Sequence, residues 1–157
     1  MKKVVALILS AVMMASVTAG CSRPAETESK AEGGKEAAQN VDVGVCIYKF
    51  DDTFMTGVRN NMDAQAKTVG AKLDIVDSQN KQPTQNEQVD TFITKGVNAL
   101  AVNPVDRTAA GPLVDKAKAK NLPIVFLNRE PEADIMNSYD KVWYVGAKAE
   151  QSGTLSG

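Results

Sequence analysis

Val43-Gly44-Val45-Cys46-Ile47-Tyr48 is a short, almost wholly apolar run rich in β-branched residues, the composition of a strand buried on both faces. Behind it Phe54, Val58, Met62, Ala66 and Val69 recur at three- and four-residue spacing. That spacing predicts one inward face of a helix, with Phe54 in the core, and Gly70 stops it. The unit then repeats. Leu73-Asp74-Ile75-Val76 predicts a second strand, and Thr84-Gln85-Asn86-Glu87 predicts a capping box that opens a helix with Val89, Phe92 and Ile93 inward. Gly96 closes that helix, and Ala99-Leu100-Ala101-Val102 reads as the third strand. A third helix is predicted over Thr108–Lys120, with Ala110, Leu113, Val114 and Ala117 on one face. Pro112 falls in its first turn, where amide hydrogens lack intrahelical partners. Leu122-Pro123-Ile124-Val125-Phe126-Leu127 and Val142-Trp143-Tyr144-Val145 complete the set, separated by a loop containing Arg129-Glu130-Pro131. Strands alternating with helices at this spacing define a doubly wound α/β domain on a parallel sheet. In such sheets ligands bind outside the carboxyl ends of the strands.

Composition narrows what that domain does. The chain has 157 residues, enough for one domain with a sizeable core. Its 18 Lys+Arg are matched by 19 Asp+Glu, so it lacks the basic surplus that nucleic-acid binding needs. No His is present, which removes the commonest general base and the commonest zinc ligand. Two cysteines, Cys21 and Cys46, cannot build a zinc site or a disulfide framework. Aromatic residues make up 5%, too few for a platform that stacks single-stranded bases. The balance favours binding or transport over catalysis.

Residues 1–20 open with Met1-Lys2-Lys3 and continue into Val4-Val5-Ala6-Leu7-Ile8-Leu9 and further small and apolar residues. A basic start, a short apolar run and small residues at a boundary predict an export signal. Thr18-Ala19-Gly20-Cys21 resembles a bacterial lipobox, which implies a lipidated Cys21 at the mature N-terminus and a protein anchored at the membrane. Thr18 stands where Leu or Val is usual. Residues 22–40 hold no large apolar residue and read as a tether, since nothing in them repays the entropy of ordering. As a flexible coil they span on the order of 25 Å. The folded lobe is expected over residues 41–157.

Carboxylates and amides dominate the strand ends. Lys49-Phe50-Asp51-Asp52-Thr53-Phe54 follows strand one, Asp77-Ser78-Gln79-Asn80 strand two, Asn103-Pro104-Val105-Asp106 strand three, and Asn128-Arg129-Glu130 strand four. Planar carboxylates and amides engage neighbouring hydroxyls of a polyol, and an aromatic ring covers a sugar's C–H face. No Gly-rich phosphate loop occurs. From spacing alone Asp52 serves equally as a helix cap or a ligand contact. Asn128 divides the same way between turn and contact, while Asp106 and the Asp77–Asn80 run fit turn chemistry better. Asp51 beside Asp52 suggests a catalytic pair only superficially, because no second acid–base partner stands with them.

The segment from Val43 to Met55 resembles the opening of the bacterial galactose/methyl-galactoside-binding proteins. The likeness continues through Asp77-Ser78-Gln79-Asn80, Lys95-Gly96-Val97, Ala109-Ala110-Gly111, Pro123–Phe126, Asn128-Arg129-Glu130-Pro131, Ser138–Lys141 and Tyr144-Val145-Gly146. That family is of the type 1 periplasmic binding proteins, whose two α/β lobes close on a sugar and deliver it to an ABC transporter permease. The resemblance implies that Asp52 and Asn128 hydrogen-bond sugar hydroxyls and that Phe54 stacks on the ring. Galactose or glucose is the implied ligand, within a fold group that also takes ribose and other sugars, and a chemoreceptor is a further implied partner. Cys46 and Trp143 depart locally and are expected to affect packing only. The family chain is about twice as long as this one. Its second lobe and calcium loop lie beyond Gly157, so the chain reads as a truncated N-terminal lobe. Residues 1–157 contain no D-x-[DN]-x-[DN]-G loop, and no cofactor is expected in them.

Two other classes compete. The effector domain of a sugar-responsive transcription regulator shares this fold but calls for a basic helix-turn-helix, whereas residues 22–40 are acidic and Gly-containing. A small hydrolase or a flavodoxin-like redox protein is disfavoured by the missing His, the missing G-x-S-x-G turn and the export signal.

Overall fold

The structure, a computed structural model, describes residues 40–147. The expected signal, the lipobox with Cys21, all but the last residue of the tether, and residues 148–157 lie outside the described residues. Five strands form a parallel sheet: β1 (Val41–Ile47), β2 (Ala71–Asp77), β3 (Ala99–Val102), β4 (Ile124–Leu127) and β5 (Val142–Val145). Their spatial order is β2-β1-β3-β4-β5. The strand order reverses between β1 and β3, which opens a crevice at their carboxyl ends.

Helices cover both faces. α1 (Thr53–Val69) packs on one side, where Val45, Ile47, Met55 and Ala101 are buried. α2 (Gln82–Lys95) and α3 (Gly111–Ala119) pack on the other, around Cys46, Val89, Phe92, Leu100, Val102, Leu113, Val114 and Phe126. Alternate residues of β1 thus feed opposite cores, as period two requires, and the doubly wound α/β expectation holds.

Several local expectations are corrected. The inward stripe of α1 is Met55, Val58, Met62 and Ala66. Phe54 is 64% exposed and Val69 55% exposed, so neither belongs to the core. α2 opens at Gln82, ahead of the expected capping box at Thr84, with Lys81 as a cap that makes no side-chain bond. Pro83 is the cause: its missing N–H and fixed φ suit a first turn and draw the start upstream. α3 starts at Gly111, after the expected Thr108. There the Asp106 carboxylate takes both the backbone N–H and the hydroxyl of Thr108, each at 2.8 Å, and holds the segment in a turn. A one-turn helix, α4 (Ala133–Met136), interrupts the loop before β5. Trp143 is half exposed on edge strand β5 and takes little part in packing.

Candidate functional site at the carboxyl ends of the strands

Asp52 is the N-cap of α1. Its Oδ1 accepts the Met55 N–H at 2.8 Å, and its Oδ2 accepts a hydrogen bond from the Tyr48 hydroxyl. The choice between cap and ligand contact therefore dissolves, because capping uses one lone pair and an ionised carboxylate offers about four acceptor sites. The Tyr48 hydroxyl first, and the Met55 N–H second, hold the Asp52 carboxyl below its usual range, so it is an acceptor at neutral pH. Asp51 instead pairs with Lys49 at 3.3 Å on the surface. Phe54, two residues into the helix axis from the cap, presents its ring to solvent.

Asn128 stands at the end of β4 in the left-handed region, φ 61°, which Asn tolerates better than most residues. The Arg129 N–H donates to the Leu127 carbonyl at 2.6 Å and closes a tight turn around it. The Asn128 main chain is also bonded to β5: its N–H donates to the Val145 carbonyl at 2.9 Å. Its exposed carboxamide has no hydrogen-bond partner among the described residues.

β1 and β4 flank β3, so the two ends lie about two strand spacings, roughly 10 Å, apart. Three residues that sequence reasoning passed over join them. Asn103, fully buried after β3, accepts the Tyr48 N–H at 3.3 Å and donates to the Leu127 carbonyl at 2.8 Å. Gln85 of α2, also fully buried, donates to the Asn103 carbonyl and the Ser78 hydroxyl and accepts the Val105 N–H at 3.1 Å. Arg129 lays its guanidinium 3.8 Å from the centre of the Tyr48 ring. For Asn103 and Arg129 the sequence signal was a polar run following an apolar strand, whereas Gln85, inside α2, gave none. Asp77, Ser78, Gln79 and Asn80 do serve the turn: Asp77 accepts the Gln79 N–H, and Gln79 and Asn80 both take positive φ. Among the described residues no group of three His, Cys, Asp or Glu side chains converges as a metal site.

An acceptor-only carboxylate, an uncommitted carboxamide and an exposed aromatic ring thus stand at the carboxyl edge of a doubly wound sheet, the edge where such sheets bind ligands. The chain belongs to the periplasmic binding protein domain family, whose model matches residues 43–157. It is 48% identical over 116 residues to the D-galactose/methyl-galactoside binding periplasmic protein of Haemophilus influenzae, covering 73% of this chain and 35% of the relative. A putative rhizopine-binding protein of Rhizobium meliloti is 38% identical over 76% of this chain and 38% of its own length. Among solved structures, a galactofuranose binding protein matches with TM-score 0.66 and 27% identity over 73% of this chain and 38% of that one. The chain thus spans little more than a third of the length of these relatives.

Proposed function

We propose that this chain is the sugar-recognition lobe of an exported solute-binding protein that delivers a monosaccharide of the galactose or glucose type to an ABC transporter permease. The observation that carries the reading is the pairing of a clamped, ionised Asp52 with the unengaged Asn128 carboxamide across the β1–β3–β4 edge. Asp52 accepts from sugar hydroxyls through its remaining lone pairs. Asn128 can donate and accept at once, matching a hydroxyl that does both. Phe54 covers the C–H face of the ring, a contact that gains from its exposure in the absence of sugar. Similarity to the D-galactose/methyl-galactoside binding protein of Haemophilus and to a galactofuranose binding protein supports a sugar ligand.

Binding without chemical change fits this inventory, and the protein is read as no enzyme. The second wall of the cleft, and the calcium loop implied by the resemblance, are assigned to the part of the family chain beyond residue 157. Lipid attachment at Cys21, which would hold the lobe at the membrane, and presentation to a chemoreceptor extend the same reading. Isothermal titration of the whole protein against D-galactose, D-glucose and D-ribose tests it. Micromolar or tighter binding of one hexose is expected. Heats near zero for all three would overturn the sugar assignment, and ribose alone binding would redirect it to a pentose.

A further inference from the structure

Asp52 has a neighbour whose role nothing so far explains. Tyr48, the residue after β1, is 6% exposed, yet its hydroxyl emerges at the binding edge and donates to Asp52 Oδ2. Its main chain is held on both sides: its N–H donates to Asn103 Oδ1, and its carbonyl accepts the Asn80 N–H at 2.6 Å. Its ring is held as well. The Arg129 guanidinium lies 3.8 Å from the ring centre, and Arg129 Nη1 is tied to the carbonyls of Pro104 and Val105 at 3.3 and 3.1 Å. The loops after β1, β2, β3 and β4 therefore meet on this one residue, main chain and side chain together.

We propose that Tyr48 is a positioning residue for the Asp52 carboxylate, with Arg129 stacked on its ring to hold it in place. The Met55 N–H fixes one carboxylate oxygen and the Tyr48 hydroxyl fixes the other, so the plane of the carboxylate cannot rotate about its last torsion. The acceptor sites left over then point in set directions before any ligand arrives, which lowers the ordering cost of binding. A cation over the ring face is a favourable contact and makes the phenol a better donor. The charged groups facing this pair are Lys49 from the same loop, itself paired with Asp51, and Arg129 from the loop after β4.

The proposal rests on the sugar-binding reading for its functional consequence, and its test separates the two. In Tyr48→Phe of the whole protein the ring and its packing remain while the donor is lost. Titration of the Asp52 carboxyl by carbon NMR, without ligand, should show its pKa rising toward the ordinary carboxylate range, a shift that a purely packing role for Tyr48 does not produce. D-galactose affinity should weaken about tenfold, and the unfolding midpoint at neutral pH should fall modestly, because the lost donor also held the ionised carboxylate in the fold. Arg129→Gln, which removes the cation and the stacked plane, should move the Asp52 titration the same way by less. An Asp52 titration that stays put in Tyr48→Phe overturns the positioning role, whatever the sugar data show. A shifted titration in a protein that binds none of the three sugars upholds the positioning and defeats the sugar reading alone.

Discussion

Gly44, at the centre of β1, lies directly under Phe92 of α2: a Cβ on Gly44 would stand 2.9 Å from the Phe92 Cβ and closer still to its ring. Nothing in the local backbone demands glycine there. The close approach of the helix does, because the Phe92 Cβ is fixed to the α2 backbone and cannot swing aside. Gly44→Ala should therefore cost about 1–3 kcal/mol of unfolding free energy by overpacking, read from the urea midpoint. Wild-type stability in Gly44→Ala would mean that α2 shifts freely on the sheet.

Gln85 is the keystone of the buried polar layer. Replacing it with Leu keeps the volume but strands the Val105 N–H and the Asn103 carbonyl, which it satisfies at 3.1 and 3.0 Å. Each buried group left unpaired costs about 1–3 kcal/mol, so Gln85→Leu should lose at least about 2 kcal/mol. Equilibrium denaturation checks this. A neutral outcome would show that water or a rearranged loop takes the place of the amide.

Burial, and secondarily the Asp74 charge, push the Cys46 thiol up to about 12. A thiol with a folded pKa above its unfolded value contributes stability that is complete below the unfolded pKa and lost as pH rises through the folded one. At pH 8 the thiolate needed for alkylation is therefore scarce, and the side chain is fully buried. Iodoacetamide should modify the Cys46 peptide only at the rate of global unfolding, as read by mass spectrometry. Rapid native-state labelling would contradict the packing of β1.

Asp52→Ala should weaken D-galactose binding tenfold or more in the whole protein, since a hydrogen bond to a charged acceptor is lost. Asp51→Ala should change little, because Asp51 is committed to an exposed ion pair with Lys49. Asp52 has a depressed folded pKa, so its contribution holds above the unfolded carboxylate value and fades as pH falls through the folded one. Sugar affinity should accordingly persist at pH 5 and fall off only in more acidic solution. Equal, small effects of both alanines would leave Asp52 with capping alone.

Residues 41–157 alone should bind galactose no better than millimolar. Phe54 and Asn128 are exposed, so hydrogen bonds made on this single wall replace bonds to water with little net gain. Micromolar binding by the isolated lobe, measured by calorimetry, would show that closure of a second wall is unnecessary.

The identity of nearly every element was legible in the sequence because burial imposes period. β1, β3 and β5 announce themselves as short apolar runs, and Ala110, Leu113, Val114 and Ala117 are all buried as their spacing requires. Boundaries were less legible, since Pro83 and the Asp106–Thr108 turn reset the starts of α2 and α3 through local hydrogen-bond chemistry. Phe54 shows the limit of periodicity: an apolar residue one position out of phase with Met55 fits the same spacing rule, and only the seating of α1 on the sheet shows which of the two is buried.

By itself the sequence determined the alternation of strands and helices, hence the parallel sheet, and placed Asp52, Phe54 and Asn128 at its carboxyl edge. Those are consequences of hydrophobic spacing and strand-end position, both readable along one dimension. The tertiary structure alone decided that Asp52 is both cap and half-buried acceptor, that Tyr48 and Arg129 stack, and that Asn103 and Gln85 tie four loops together. Apart from Tyr48 with Asp52, and Gln85 with Ser78 seven residues away, these partners sit 18 to 81 residues apart in the chain. Hydrogen-bond directionality over such separations leaves no periodic trace, and it becomes visible only once the sheet has brought the strand ends side by side.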